Sequence, residues 1–116
     1  MYEMRKSYRF TTAAYQCEHL GGDPQKHSYE LTVTLRTEKL RSSDCIIPLE
    51  ELDLMIGFML EKYFENQVLP RSLGLKRLTL EKIAYWVFYH LKEKVEELYC
   101  VEVGDRLMGS VSYLMV

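Results

Sequence analysis

The chain has 116 residues, of which 47% are hydrophobic and 28% charged, with a formal net charge of −2 at pH 7. That length suits one domain, residues 1–116, burying roughly two thirds of the surface its unfolded chain would expose, and the composition excludes disordered and fibrous classes. The 15 basic residues are scattered rather than blocked together, so no nucleic-acid footprint stands out, and the Arg71 to Arg77 cluster reads as a solvated loop.

Residues 8 to 17 alternate, with Tyr8, Phe10, Thr12 and Ala14 on one face and Arg9, Thr11, Ala13, Tyr15 and Cys17 on the other, the mark of a strand. If the extended geometry continues, Tyr15, Cys17 and His19 share a face, because side chains two apart point the same way. Gly21, Gly22, Asp23 and Pro24 then give a turn signal. Tyr29, Leu31, Val33, Leu35 and Thr37 alternate with Glu30, Thr32, Thr34, Arg36 and Glu38 as a half-buried strand. So short a connection makes the pair antiparallel. His27 stands at the foot of the second strand, and histidine and cysteine around a glycine turn make this stretch the first place to look for a site.

Pro48 followed by Glu50 and Glu51 opens a helix, since proline is tolerated in the first turn and acids favour the positive end of the dipole. Leu49, Leu52, Ile56, Met59 or Leu60, and Tyr63 give its apolar stripe, running to about Asn66. Gln67 to Leu78, with Pro70 and Gly74, reads as the linking loop. Thr79 is an N-cap and Glu81 lies in the first turn of a second helix, whose buried stripe is Leu80, Ile83, Ala84, Val87, Leu91 and Val95. Tyr99, Val101 and Val103 alternate with Cys100 and Glu102, and after a turn with Gly104 and Gly109 come Val111, Tyr113 and Met115.

The order is ββααββ, which predicts an α+β fold: an antiparallel four-stranded sheet carrying both helices on one face. The other face is expected to bury Tyr and Val side chains against another subunit. Three cysteines, Cys17, Cys45 and Cys100, form an odd set without C-x-x-C spacing, and the opening MYEMRKSYRF has no apolar run of the signal-peptide kind. The longest apolar stretch, Ile83 to Leu91, is about half a membrane span and is interrupted by His90. A cytoplasmic setting with no membrane segment is the expectation.

TTAAY at the end of strand one, QKHSYELTVTL opening strand two, LTLEKIAYWVFYHL as the second helix and VEVGD before the last hairpin resemble the 6-pyruvoyl tetrahydropterin synthase family. Its close bacterial branch is the 6-carboxytetrahydropterin synthase of queuosine synthesis. The resemblance covers roughly Tyr8 to Tyr113. It implies the T-fold, in which subunits join edge to edge into an oligomeric barrel, a trimer often stacked as a hexamer, with active sites at subunit interfaces. It also implies a carbon–oxygen or carbon–carbon lyase acting on dihydroneopterin triphosphate or a related pterin.

The family's chemistry depends on three histidines holding zinc, one after an Ala-Ala pair and two from H-G-H before the second strand. Tyr15 and Gln25 stand at two of these positions and only His27 matches. The loop cysteine falls at Gly21, and the relay L-D-H becomes Leu60-Glu61-Lys62. The pterin-recognising Glu-Thr reads Asp105-Arg106, so a carboxylate is kept, one methylene shorter. Thr79 and Glu81 match the family's P-T-x-E helix start with Leu78 for proline, and a structural cap explains them equally well.

On this basis Asp105, Thr79, Glu81 and Tyr15 are candidate ligand-binding residues, and Lys62 and Cys17 candidate catalytic ones. Cys17, His19 and His27 offer a thiolate and two imidazoles that suit zinc. Their spacing has no established pattern behind it, and Cys17 reads as readily as a packing residue. Cys45 and Cys100 read as structural, and His90 as a surface or interface residue.

Three functions compete. The chain is a divergent homologue without the zinc-dependent lyase chemistry, binding a pterin-like or other heterocycle at subunit interfaces through Asp105. Alternatively it is an active pterin lyase with a site rebuilt around Cys17, His19, His27 and Lys62, or a structural oligomeric scaffold.

Overall fold

The structure, a computed structural model, describes residues 1–14, 25–65, 68–69, 73, 79–105 and 109–115, with the backbone alone at 13–14, 25–27 and 68–69. Strands β1 (Tyr2–Ala14) and β2 (Gln25–Thr37) are followed by helix α1 (Leu49–Tyr63), a short strand β3 (Val68–Leu69), helix α2 (Leu80–Lys92), and strands β4 (Leu98–Asp105) and β5 (Gly109–Leu114). The sheet order is β3-β1-β2-β4-β5. The four long strands pair antiparallel, as the ββααββ pattern predicts. To these the structure adds β3, paired parallel to β1 at Ala13 and Ala14, inside the segment expected to be loop.

The period-two pattern of β1 extends six residues further toward the N-terminus than the sequence indicates, because Met4 and Lys6 continue the inward-leaning row of Tyr8, Phe10 and Thr12. β2 contributes Tyr29, Leu31, Val33 and Leu35, and β4 contributes Val101 and Val103, all buried. Against this face lie Leu52, Ile56, Met59, Leu60 and Phe64 from α1 and its end, and Leu80, Ile83, Ala84, Val87, Phe88 and Leu91 from α2, forming one apolar cluster. Burying each such side chain contributes about 1.5–3 kcal/mol, which makes this layer the main source of stability.

Pro48 precedes α1 without making a side-chain cap, and Glu50 and Glu51 occupy the first turn. Leu49, expected in the buried stripe, is instead exposed. It sits at the first helical position, ahead of the rows that reach the sheet. In α2 the Thr79 side chain accepts from the Lys82 backbone N–H at 3.2 Å, satisfying one of the orphan donors of the first turn. The helix ends at Lys92, and Val95 joins the core from the turn beyond.

Two expectations about the sheet fail for identifiable reasons. Alternation places Tyr99 with Val101 and Val103, but a register irregularity at Thr34/Leu35 sets Leu98 opposite Leu35 and Cys100 opposite Thr34. The extra residue flips the parity, so Leu98 is buried and Tyr99 lies under the Arg36 guanidinium, 3.9 Å from its ring centroid.

The face away from the helices does not carry Tyr and Val. It carries Arg5, Ser7, Arg9, Thr11, Ser28, Glu30 and Thr32, cross-linked by Ser7–Thr32 (2.8 Å), Thr11–Ser28 (3.2 Å) and Arg9–Glu30 (3.5 Å). Apart from Tyr99 and Leu114, the large apolar residues of β2, β4 and β5 fall on the helix side, so the outer face is largely a polar surface rather than a second core. Among the described residues no helix is long and apolar enough to cross a membrane.

Candidate functional site

Register brings the polar residues of the inner face together at one end of the sheet. β1 sets Phe10 opposite Tyr29 and Thr12 opposite His27, while β4 sets Asp105 opposite Tyr29. Phe10, Thr12, Tyr29 and Asp105 are 3%, 1%, 2% and 8% exposed, a group containing a carboxylate, a phenol and a hydroxyl within the apolar layer. Each arrives by the same rule: inward positions recur every second residue, and the rows 8-10-12, 29-31-33 and 101-103-105 converge here. Asp105 closes β4, and β5 resumes opposite it at Gly109, whose φ of +84° lies in the left-handed region that glycine adopts without strain.

Aromatic rings wall this end. Tyr29 stacks on Phe10 with centroids 5.4 Å apart and an interplanar angle of 25°, and Phe64 meets Phe10 edge-on at 4.9 Å. Phe64 in turn meets Trp86 at 5.7 Å, and Trp86 stacks on His90 at 4.7 Å and 9°. His90, expected to be a surface or interface residue, is therefore half-buried against Trp86 and Tyr63. Burial holds its pKa below the ordinary value, helped by the charge of Lys94.

Burial pushes the Tyr29 phenol up to about 12, and the negative charge of Asp105 adds to the effect. A phenol in that state stays protonated throughout the physiological range and acts as a donor. Beside it stands a carboxylate in dry surroundings, where its attraction for N–H donors is much stronger than in water. The pair suits a flat, nitrogen-rich molecule presenting adjacent N–H groups. Tyr29 and Thr12 are candidate site residues that the sequence reading missed, since an inward Tyr and Thr in a strand read as core, and only the cross-strand partner distinguishes them.

The other sequence candidates are distributed as follows. Thr79 caps α2 and Glu81 is exposed in its first turn. Lys62 is exposed in the last turn of α1, its Nζ 5.2 Å from the Tyr63 ring centroid and 5.9 Å from that of Phe58. The His27 and Gln25 backbones pair with Thr12 and Ala14 at the same end of the sheet as Asp105. Tyr15, Cys17, His19 and Gly21 lie outside the described residues. Among the described residues no three His, Cys, Asp or Glu side chains cluster as metal ligands. Cys45 lies 3.0 Å from the Ser43 hydroxyl, and Cys100 is half-buried with its thiol pushed up by burial.

Comparison with known proteins agrees with this architecture. The family model described as 6-pyruvoyl tetrahydropterin synthase matches residues 3–113. The fold is similar to the solved 6-pyruvoyl tetrahydropterin synthase of Caenorhabditis elegans, at TM-score 0.82 and 19% identity over 99% of this chain and 96% of that one. An uncharacterized protein of Wolinella succinogenes matches at TM-score 0.76 and 10% identity, covering 99% and 98%. The 6-pyruvoyl tetrahydropterin synthase of Plasmodium vivax matches at 0.67 and 12%, covering 99% and 100%. No curated protein matches the sequence.

Proposed function

The chain belongs to the 6-pyruvoyl tetrahydropterin synthase family, and from that premise we propose that it is a divergent member, binding a pterin-like heterocycle through Asp105 without the zinc-dependent lyase chemistry. The observation that carries this reading is the buried carboxylate of Asp105 across the strand from Tyr29. It stands where the resemblance puts the family's pterin-recognising acid. Within the apolar layer a carboxylate attracts N–H donors more strongly than in water, and the adjacent amino and ring N–H groups of a pterin would present two in one plane.

The donor set does not fit a three-imidazole zinc site. A phenol at Tyr15 and a carboxamide at Gln25 replace two imidazoles and leave only His27. A catalytic zinc of the three-ligand type needs its other positions filled by strong donors, so no step is assigned to a metal. The relay position holds Lys62 rather than an imidazole, the side chain that most readily trades protons near neutral pH.

The sheet also supports edge-to-edge assembly into a ring. Among the described residues β3 pairs with β1 only at Ala13 and Ala14, so no strand pairs with Tyr2 to Phe10 on that side, and β5 ends the sheet on the other side. Unpaired edges are templates for another strand. A ring closed through them would enclose the polar outer face.

Bound zinc, turnover of dihydroneopterin triphosphate, and melting shifts across a pterin and purine panel test the reading together. The expected result is substoichiometric zinc, no turnover, and a pterin-induced stabilisation of about 2.7 kcal/mol at a hundredfold excess over Kd, which Asp105→Asn abolishes. Stoichiometric zinc with turnover would overturn it in favour of an active site rebuilt around Cys17, His19, His27 and Lys62. Absence of any ligand shift would leave a scaffold.

A further inference from the structure

The chain leaving α2 passes back along α1, and a groove of about 320 Å³ opens between them. Trp86 meets Tyr63 and Phe64 at the C-terminal end of α1, with ring centroids 4.9 and 5.7 Å apart. Further on, Lys94 lines the groove together with Glu51, Leu54, Met55 and Phe58 of α1. Met55 packs on the core beneath, whereas Leu54 is 75% and Phe58 62% exposed. A single exposed leucine is ordinary, but two large apolar side chains one helical turn apart, beside a concavity, form a patch that marks a contact surface.

The rim of this patch is positive toward the end of α1. Lys62 follows Phe58 by one turn on the same flank, its Nζ 5.9 Å from the Phe58 ring centroid. His90, whose ring meets Tyr63 at 5.3 Å, lies within electrostatic reach of both Lys94 and Lys62. Burial first, and then these two charges, hold its pKa below the ordinary value against the opposing pull of Glu93. Among the described residues no carboxylate lies within ion-pair distance of Lys62 or Lys94, whereas Arg5, Arg9, Arg36 and Arg41 each have one. Glu51, the acid that lines the groove, is met by the Arg41 guanidinium at 3.8 Å. The groove therefore joins exposed apolar surface to two lysines whose charge no acid of the described chain answers.

We propose that this groove docks a short acidic, apolar helix of another protein, with Leu or Phe side chains seated over Leu54 and Phe58 and carboxylates meeting Lys62 and Lys94. Pockets for small molecules enclose most of their ligand, and a groove walled by side chains as exposed as these does not. It suits side chains projecting from a helix, which bring their own backbone and bury the patch as they seat. Charge decides which helix is taken: an acidic one completes two ion pairs, and a basic one sets like charges together. An anionic membrane would also attract lysines beside apolar groups, but Glu50, Glu51 and Glu61 are exposed on the same helix and would be pressed against its headgroups. The surface is independent of the ligand reading, since it uses neither Asp105 nor the sheet edges.

Two labelled synthetic helical peptides test it on the full chain by fluorescence anisotropy, alike in their Leu and Phe residues at spacings of three and four and differing only in flanking Glu or Lys. The Glu peptide is expected to bind about tenfold more tightly than the Lys peptide. Phe58→Ala and Lys94→Glu should each weaken it about tenfold, and Lys94→Glu should also strengthen the Lys peptide, a gain that a misfolded variant could not produce. The Glu peptide should raise the His90 pKa in an NMR titration, because its carboxylates offset the two lysines. Failure of both peptides to bind, equal affinity for the two, or affinities unchanged in the variants would overturn the proposal. Displacement of the Glu peptide by phosphatidylserine vesicles would overturn it in favour of a lipid surface.

Discussion

At one end of the sheet, where β2 finishes, charges meet oppositely charged partners at or near the surface. Arg36 donates to Glu3 at 2.7 Å and covers the Tyr99 ring, and Arg41 grips Glu97 with two bonds that tie the segment after β2 to the turn before β4. At the other end, Thr12, Tyr29 and Asp105 are sunk among Phe10 and Phe64. A solvent-exposed pair such as Arg36–Glu3 contributes little and costs little. The buried carboxylate has exchanged water for the interior, where its interactions with neighbouring groups are stronger. The same strands thus run from an end held by ion pairs to an end where polar side chains are buried together.

The largest effect should come from opening the aromatic wall. Phe64→Ala leaves a cavity under Phe10 and is expected to cost about 3–5 kcal/mol in urea unfolding; a loss below about 1 kcal/mol would mean that the wall does not support this end of the sheet.

Next comes alkaline pH. The folded pKa of Tyr29 is raised to about 12 from an ordinary 10.0, so the unfolded chain gives up that proton first. The corresponding stability is fully present below pH 10 and is lost between about pH 10 and 12, amounting to about 2–3 kcal/mol. Tyr29→Phe should flatten that part of the pH–stability curve, and an unchanged slope would remove Tyr29 as a buried titrating group.

At the far end, Arg41→Met should cost about 1 kcal/mol at neutral pH. Its Glu97 partner has a depressed pKa, owing first to the hydrogen bonds from Arg41. That contribution is present above the ordinary carboxylate value of 4.5 and disappears as pH falls through the lower folded value. An acid-unfolding midpoint identical in the variant would show that the pair is ornamental. Smallest of all, Ser7→Ala on the polar outer face should change stability by less than about 0.5 kcal/mol; a larger loss would reveal a demand on that face beyond the monomer's own.

Much of this fold can be read from the sequence because the signals are periodic and long. The strand rows at 8-10-12 and 29-31-33-35, the Thr79 cap and the Leu80 to Leu91 stripe all stand in the structure as expected. Short or relational features escape. A two-residue strand such as Val68–Leu69 has no period, and the parity flip that sends Tyr99 outward arises from pairing with β2 rather than from β4 itself. Asp105 can be picked out through the family resemblance. Tyr29 cannot, because an inward tyrosine looks like any other core residue until its cross-strand partner is known.

The sheet order has a consequence for the sequence of folding events. β1 with β2 and β4 with β5 are hairpins whose partners are near in sequence, so each can close in microseconds. The seam between them pairs Leu35 with Leu98 and Tyr29 with Asp105, and such distant partners must pay loop-closure entropy before any contact rewards them. The seam is therefore expected to zip late, after the helices have laid down the apolar layer, and Asp105 stands at its last rung. Amides of the β2–β4 seam near Asp105 should then exchange with solvent before those near Val101. A ligand gripping Asp105 would act as a latch, slowing unfolding more than it speeds folding.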